Sequence, residues 1–235
     1  MPLAHAVVKA GADILELGIP FSDPMADGPV NQRASDRALK YNTSLSNVLD
    51  MVREFRKTNN TTPIVLMGYL NPIEVMGAAK FAKNAAEAGI DGVITVDLPP
   101  EEAHEILGEY KKHQIDPIFL IAPTTDEQRI KMISQHGSGF MYYVSLKGVT
   151  GAASLDTQAV ADKLNTIRKF TDLPVSVGFG IKDSQSAAAI AKIADAIVVG
   201  SALIQRIEAN LTKPDQIIQE ASEFLSRLRN AIDKN

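Results

Sequence analysis

Residues 88–92, with the sequence Ala-Gly-Ile-Asp-Gly, join the end of a predicted helix to the start of a predicted buried strand. Nearly the same phrase occurs at 10–14, Ala-Gly-Ala-Asp-Ile, and in shortened form at 193–196, Ile-Ala-Asp-Ala. A Gly or small residue at the helix end permits the left-handed backbone that closes many helices. This recurring helix-to-strand connection predicts that the chain is built from one repeated unit.

Short β-branched runs alternate with longer stretches of helical period, which is typical of a parallel sheet with crossover helices. The predicted strands are 14–17, 63–67, 92–96, 117–121, 140–144, 174–177 and 196–199. The predicted helices are 44–56, 75–88, 101–112, 126–135, 155–170, 184–192 and 214–232. No low-complexity linker interrupts this rhythm, so we predict a single domain over residues 1–235.

The predicted architecture is an α/β barrel of the TIM (β/α)8 type, although a closed barrel needs one strand more than the seven found. Leu3, Ala6, Val7 and Ala10 have helical spacing directly before the first strand. We therefore expect the first barrel strand to be missing ahead of Met1. A doubly wound open sheet tolerates seven strands and remains the alternative at this point.

Composition argues for an enzyme that acts on a small molecule. The net charge is −4 without long runs of one sign, so no nucleic-acid or anionic-membrane surface is predicted. The absence of Cys excludes disulfides and thiolate chemistry, and we find no cluster of metal-ligating residues. Without a predicted secretory or membrane-spanning segment, we expect a cytoplasmic location.

The loop after the first strand is the most unusual segment, because Gly18–Pro29 contains three prolines, two aspartates and two glycines. Within the strand, Glu16 alternates with Leu15 and Leu17, so it should point into the barrel while the leucines contact the helices. An inward carboxyl should have a raised pKa and be able to donate and accept a proton near neutrality. The alternative is a Glu paired with a buried Lys or Arg.

Three later strand ends carry a pattern that predicts phosphate binding. Glycines recur at 148–151, at 178–180 and at 200, where Ser201 begins a helix. Glycine lets backbone N–H groups approach an anion closely, and a helix N-terminus adds a favourable dipole. In barrels this region is a recurrent phosphate site.

At this point the residues indicate a family. The sequence Leu-Glu-Leu-Gly-Ile-Pro-Phe-Ser-Asp-Pro-Met-Ala-Asp-Gly-Pro at 15–29 closely resembles the signature of the tryptophan synthase α subunit family. The segments at 69–72, 96–99, 148–151, 178–180 and 200–202 agree in order and spacing, so the resemblance covers the whole chain. It implies a lyase that splits indole-3-glycerol phosphate into indole and glyceraldehyde 3-phosphate.

The resemblance also implies the residues of the site. Glu16 would transfer protons, and Asp27 would accept the indole N–H. The substrate-binding residues would be Tyr69 and Tyr142 near the indole, Thr150 on a closing loop, and Gly151, Phe179, Gly180, Gly200 and Ser201 around the phosphate. No cofactor is implied in this subunit.

The family works as an αββα heterotetramer, in which a β subunit with pyridoxal phosphate receives the indole. The resemblance implies that Pro20, Asp23 and the Asn71-Pro72 loop face that partner. Because family members carry a strand ahead of the segment that begins here, we expect this form to be less stable, prone to association and weak in activity.

Two other functions remain open on the sequence. Other phosphate-binding barrels use a Lys in their strands, and here Lys147, on a loop, is the only plausible candidate. A noncatalytic partner that binds the β subunit without turning over substrate is the second alternative.

Overall fold

The computed structural model describes residues 1–145, 156–178 and 180–234, and its strands pair in chain order in two parallel sheets of four strands each. Within these residues the strands are β1 (Leu15–Gly18), β2 (Ile64–Gly68), β3 (Gly92–Thr95), β4 (Asp116–Ile118), β5 (Leu120–Ile121), β6 (Met141–Val144), β7 (Val175–Gly178) and β8 (Ala196–Val198). The helices are α1 (Pro2–Lys9), α2 (Pro29–Leu39), α3 (Leu45–Arg56), α4 (Leu70–Met76), α5 (Ala78–Ala88), α6 (His104–Lys112), α7 (Glu127–His136), α8 (Thr157–Ile167), α9 (Ser184–Ala191), α10 (Ser201–Ala209) and α11 (Pro214–Ile232).

The strand order identifies the architecture. Hydrogen bonds join β1-β2-β3-β4 and β5-β6-β7-β8, with every pair parallel. β4 and β5 are the two parts of one predicted strand, interrupted at Phe119. A doubly wound sheet reverses its strand order at a switch point, whereas sequential order keeps all crossover helices on one side. The prediction of a barrel is therefore confirmed, and the open-sheet alternative is excluded.

β1 and β8, the first and last strands of this series, do not pair with each other in the described chain, and we call the gap between them the seam. In the described part of the chain, β1 pairs only with β2, and β8 pairs only with β7. Helices cross the seam instead: α1 packs on α11, and α2 packs on α10. An ion pair between Arg229 of α11 and Asp13, at 2.7 Å, ties α11 to the start of β1.

Side chains alternate between two apolar clusters. The inner cluster contains Val65, Ile94, Ile118 and Tyr142, which lie inside the barrel. The outer cluster lies between strands and helices, and its largest fully buried members include Phe55, Phe81, Leu66 and Ile121. This alternation follows from the period of two along each strand.

The repeated helix-to-strand connection has the predicted left-handed glycines. Gly11 has φ +111° and Gly89 has φ +91°. In two of the three phrases the Asp also stabilises the neighbouring strand, which the sequence did not reveal. The Oδ2 of Asp91 accepts a hydrogen bond from the Ile64 N–H, at 2.7 Å, and that of Asp195 accepts one from the Val175 N–H, at 2.9 Å.

The helix predictions need three corrections. The predicted helix 75–88 is wrong as one unit, because Gly77 has φ +87° and separates α4 from α5. The helix predicted at 101–112 begins only at His104. A helix beginning at Ser201 was predicted and is present as α10, but α2 was not predicted, although Pro29 at its first position is a recognised start signal.

Candidate active site

Glu16 is the second residue of β1, and its side chain faces the interior of the barrel. In the register of β1 and β2 it is opposite Val65, a member of the inner cluster, so its side chain shares that face. Leu15 and Leu17 pack on the outer side, as predicted. The carboxyl also acts on the inner-cluster residue Tyr142, whose pKa is raised first by burial and then by the charge of Glu16.

The surroundings of Glu16 are largely protein, yet its side chain still reaches water. Dense packing of protein atoms around the carboxyl raises the pKa of Glu16 from 4.5 to about 7. The residue is nevertheless exposed, because no strand among the described residues lies beside β1 on the seam side. No Lys or Arg of the described residues contributes to this pKa. The alternative of a buried ion pair is thus contradicted for the part of the chain that the structure describes.

Asp27 is held by the hydroxyl of Tyr69. The Tyr69 Oη donates to Asp27 Oδ2 at 3.1 Å and accepts a hydrogen bond from the Ala26 N–H at 3.0 Å. Tyr69 is only 3% exposed. Burial, followed by the nearby Asp27 carboxylate, raises the pKa of Tyr69 to about 12. The phenol therefore stays protonated and can act as a donor over the whole physiological range.

Several further contacts give the loop that carries Asp27 a defined path. The Asp27 N–H donates to the Pro24 carbonyl at 3.0 Å, and the Phe21 N–H donates to Ser35 Oγ of α2 at 3.4 Å. The ring of Phe21 lies 5.5 Å from that of Tyr69. Rigid prolines and these contacts together hold the Asp27 carboxylate at the barrel mouth, the end of the barrel where the strands have their C-termini.

Asp97 is a site residue that the sequence reasoning missed. It follows β3 at the barrel mouth, and its Oδ1 accepts a hydrogen bond from the Leu70 N–H at 2.7 Å. Leu70 is the residue after Tyr69, so Asp97 fixes the turn that aims the phenol at Asp27. The available signal was its position directly after a strand, where barrel sites are built.

Tyr142 lies on β6 in close contact with Gly178 of β7. A Cβ at position 178 would lie 2.4 Å from the Tyr142 Oη, so only glycine leaves room for the ring. The Tyr142 side chain is 4% exposed and belongs to the inner cluster. The structure therefore brings Tyr142 and Glu16 to the same interior.

The predicted phosphate residues lie partly within the described chain. Gly180 follows β7 with φ +78°, and Gly200 is the N-cap of α10, where Ser201 occupies the first helical position. Free backbone N–H groups at the start of α10 can bind an anion. Thr150, Gly151 and Phe179 lie outside the described residues, as does Lys147.

The described residues contain no group of three or more His, Asp or Glu residues placed to hold a metal ion. None of their helices combines the length and the apolar character that crossing a membrane requires.

Residues 1–233 match the family model described as tryptophan synthase alpha chain. The protein of that name from Thioalkalivibrio sulfidiphilus is 58% identical over 233 residues, which cover 99% of this chain and 88% of the relative. The corresponding protein from Nitrosococcus oceani is also 58% identical, with 99% of this chain and 86% of the relative covered.

Solved structures agree with these matches. The crystal structure of tryptophan synthase subunit alpha from Legionella pneumophila is similar with a TM-score of 0.91 and 46% identity, covering 99% of this chain and 86% of that one. A chain from the tryptophan synthase α2β2 complex of Pyrococcus furiosus is similar with a TM-score of 0.88 and 35% identity, covering 97% of this chain and 90% of that one.

Proposed function

The chain belongs to the tryptophan synthase alpha chain family, a family of lyases that cleave indole-3-glycerol phosphate, and we propose that Glu16 and Asp27 carry out that cleavage here. The observation that carries this assignment is the Glu16 carboxyl inside the barrel. Its pKa is raised to about 7 by burial, and no Lys or Arg of the described residues contributes to that pKa. Such a group exchanges protons readily near neutral pH.

The reaction requires a proton to arrive at indole C3 and a proton to leave the hydroxyl of the adjacent side-chain carbon. The bond between these two carbons then breaks, and the hydroxyl-bearing carbon becomes the aldehyde of glyceraldehyde 3-phosphate. Glu16 can perform both transfers, since one carboxyl can act as acid and as base in turn. Its partial contact with water also lets it exchange protons with solvent.

Asp27 has the complementary task of accepting the ring N–H while positive charge develops on the ring nitrogen. The Tyr69 hydroxyl orients its carboxylate, and the Ala26 N–H orients the phenol in turn. Electrostatic stabilisation of this kind works when the acceptor is fixed before the reaction begins. Tyr142, packed on Gly178, would bound the indole pocket.

The phosphate would bind at the other side of the mouth, to backbone N–H groups near Gly180, Gly200 and Ser201. Thr150, Gly151 and Phe179 remain part of this proposed cradle by family resemblance. The chemistry needs no cofactor in this chain, because acid, base and hydrogen-bond acceptor are all side chains.

Glu16→Gln is the direct test of this mechanism. The amide keeps the size of the side chain but cannot transfer a proton, so we expect release of indole from indole-3-glycerol phosphate to fall by about 10²- to 10⁴-fold. Glu54→Gln, which changes an exposed glutamate paired with Lys57, is the matched control and should keep full turnover. Retained indole release by the Glu16 variant would refute the assignment.

We also propose that this chain has a partner, a β subunit with its own pyridoxal phosphate. For the chain itself we propose a single domain and a cytoplasmic location. Met25, 80% exposed after β1, and Val75, 81% exposed after β2, put apolar surface at the barrel mouth. A shallow depression of about 370 Å³ beside it is lined in part by Ser22, Asp23 and Pro24.

If Glu16→Gln loses turnover but still activates a β subunit, catalysis and partner binding are both supported and separable.

A further inference from the structure

Two arginines of α2 hold one glutamate of α10 at the side of the barrel where the seam lies. Arg33 Nε and Nη2 lie 2.7 and 2.8 Å from the two carboxylate oxygens of Glu208. Arg37 Nη1 lies 2.8 Å from the Glu208 Oε1. We call these three residues the arginine clamp. The hydrogen bond from Arg33 lowers the pKa of Glu208 to about 2, so the clamp stays charged at physiological pH.

The clamp joins the two helices that begin at opposite ends of the proposed substrate. α2 begins directly after the Asp27 loop, and its Gln32 Nε2 donates to the Asp27 carbonyl at 2.8 Å. α10 begins at Ser201 in the proposed phosphate cradle. Glu208 lies seven residues further along α10, or about 10 Å at the rise of an α-helix. The clamp thus connects the Asp27 loop to the phosphate cradle through two short helices.

The seam makes this connection important. In a closed barrel, hydrogen bonds between all neighbouring strands fix the relative positions of the loops at the mouth. Among the described residues β1 and β8 share none, whereas the helices on the two sides of the seam do pack on each other. The Arg229–Asp13 ion pair crosses the seam before β1 begins, at the end of the barrel away from the mouth. The clamp crosses it on the helices that follow β1 and β8, about 10 Å along α10 from the start of that helix at the mouth.

We propose that Glu208, held by Arg33 and Arg37, is a positioning residue that sets the distance between the two catalytic carboxylates and the phosphate cradle. This inference rests on the proposed function, because it requires one molecule to occupy both ends of the site. A ligand of one end alone does not depend on that distance, whereas a molecule that reaches both ends does.

Binding of three probes to the Glu208→Gln protein tests the proposal. The probes are inorganic phosphate, indole, and a non-cleavable indole alkyl phosphate that lacks the hydroxyl, each titrated by calorimetry. We expect the joined molecule to bind at least about tenfold more weakly than to the unaltered chain, because misplacement by a fraction of an ångström to one ångström is costly in a preorganised site. Phosphate and indole should each keep their affinity within about twofold, since each half of the site remains intact.

Two further proteins act as controls. Glu54→Gln breaks the Glu54–Lys57 pair on α3 and should bind all three probes like the unaltered chain. The double change Arg33→Gln and Arg37→Gln removes the clamp from its other side and should reproduce the Glu208→Gln pattern. Equal binding of the joined molecule to the Glu208 variant and the unaltered chain would overturn the proposal. So would an equal loss for inorganic phosphate, since that would make Glu208 a local support of α10.

The binding experiment tests the clamp whether or not Glu16 and Asp27 carry out the proposed chemistry. If the unaltered chain binds the joined molecule but releases no indole from the substrate, the proposed function fails while the clamp is still tested by binding. If indole release depends on Glu16 and binding does not depend on Glu208, only the clamp fails.

Discussion

The Glu16 carboxyl is surrounded mainly by protein, although the residue still reaches water. Its raised pKa makes the free energy of unfolding depend on pH. The folded value of about 7 lies above the value of 4.5 for a free carboxyl, so the folded state binds this proton more tightly than the unfolded state does. Protonation of Glu16 therefore stabilises the fold. The free energy of unfolding loses this contribution progressively as the pH rises from about 4.5 to about 7.

Glu16→Gln removes this dependence, because an amide does not titrate. Relative to the unaltered chain, we expect the variant to gain melting temperature between pH 5 and pH 8. After allowance for water at the seam, an effect of about 1 kcal/mol would appear as about 2–4 °C in thermal melts at the two pH values. A constant difference between the proteins across this range would contradict a raised pKa.

Gly178 leaves the space that Tyr142 occupies. Gly178→Ala would place a Cβ 2.4 Å from the Tyr142 ring, inside the packed interior, and should lower the free energy of unfolding by about 1–3 kcal/mol in denaturant titrations. Gly108→Ala is the matched control. A Cβ at this exposed position of α6 meets nothing within 4 Å, and it should stabilise the protein by about 0.5–1 kcal/mol. Equal stability of the two variants would contradict the close contact.

Individual site residues differed in how far the sequence could predict them. The inward face of Glu16 followed from alternation with Leu15 and Leu17, which is a local property of a strand. The contact between Tyr142 and Gly178 joins different strands, and no spacing in the sequence reveals it. The same holds for the hydrogen bond from Leu70 to Asp97, which depends on the twist that brings two strand ends together.

Among the connecting elements, the repeated Asp before a strand is more than a turn residue. Asp91→Ala would leave the N–H of the fully buried Ile64 without its side-chain acceptor and would break the ion pair with Arg56 at 2.8 Å. We expect a loss of about 1–3 kcal/mol in the free energy of unfolding, measured with urea.

Asp13→Ala is the internal control for this prediction. Asp13 has the same place in its repeat, but its side chain is 82% exposed and its described partner is Arg229. Loss of an exposed ion pair should cost less than about 1 kcal/mol. A loss as large as that of Asp91→Ala would show that the strand N–H is not the important partner.

The secondary structure elements were predicted well wherever the pattern was long and periodic. All seven predicted strands are present with ends within one residue, and α11 has its predicted bounds. The errors fall where one residue overrides the pattern: Gly77 breaks a helix by its positive φ, and Phe119 interrupts a strand as the two sheets meet.

At the scale of the whole molecule, the seam should be visible in amide exchange. The N–H groups of Leu15 and Ile19 donate to carbonyls at Pro63 and Met67, on the side of β2. Parallel pairing alternates, so the N–H groups of Glu16 and Gly18 point toward the seam. In a protein of residues 1–235 we expect these two amides to exchange much faster than their neighbours when followed by NMR.

The central strands provide the reference for that experiment. β2 and β3 pair on both sides, so the amides of both alternating sets should be protected there. Uniform protection along β1 would mean that another segment or another molecule covers the seam. Association through this edge stays a prediction from the sequence, since unpaired strand edges can pair with another chain.

The fold as a whole could be predicted from the sequence because every level of the pattern agreed. Repeated connections, alternating strands and glycine-rich strand ends all indicated a barrel, and the strand order confirms it. What remained hidden was how the two sides of the seam are joined. Arg33 and Glu208 are 175 residues apart, and only the packing of α2 on α10 brings them together.

The hydrogen bond between Tyr69 and Asp27 has one more consequence. Tyr69 already donates to Oδ2, which directs the ring N–H of the proposed substrate toward Oδ1. A benzofuran or benzothiophene would fill a similar volume, but its ring oxygen or sulfur would place lone pairs against the Asp27 carboxylate, which needs a hydrogen-bond donor. Such heterocycles should be rejected on their chemistry and not on their shape, so discrimination at this end of the cavity resides in a single proton of the ring.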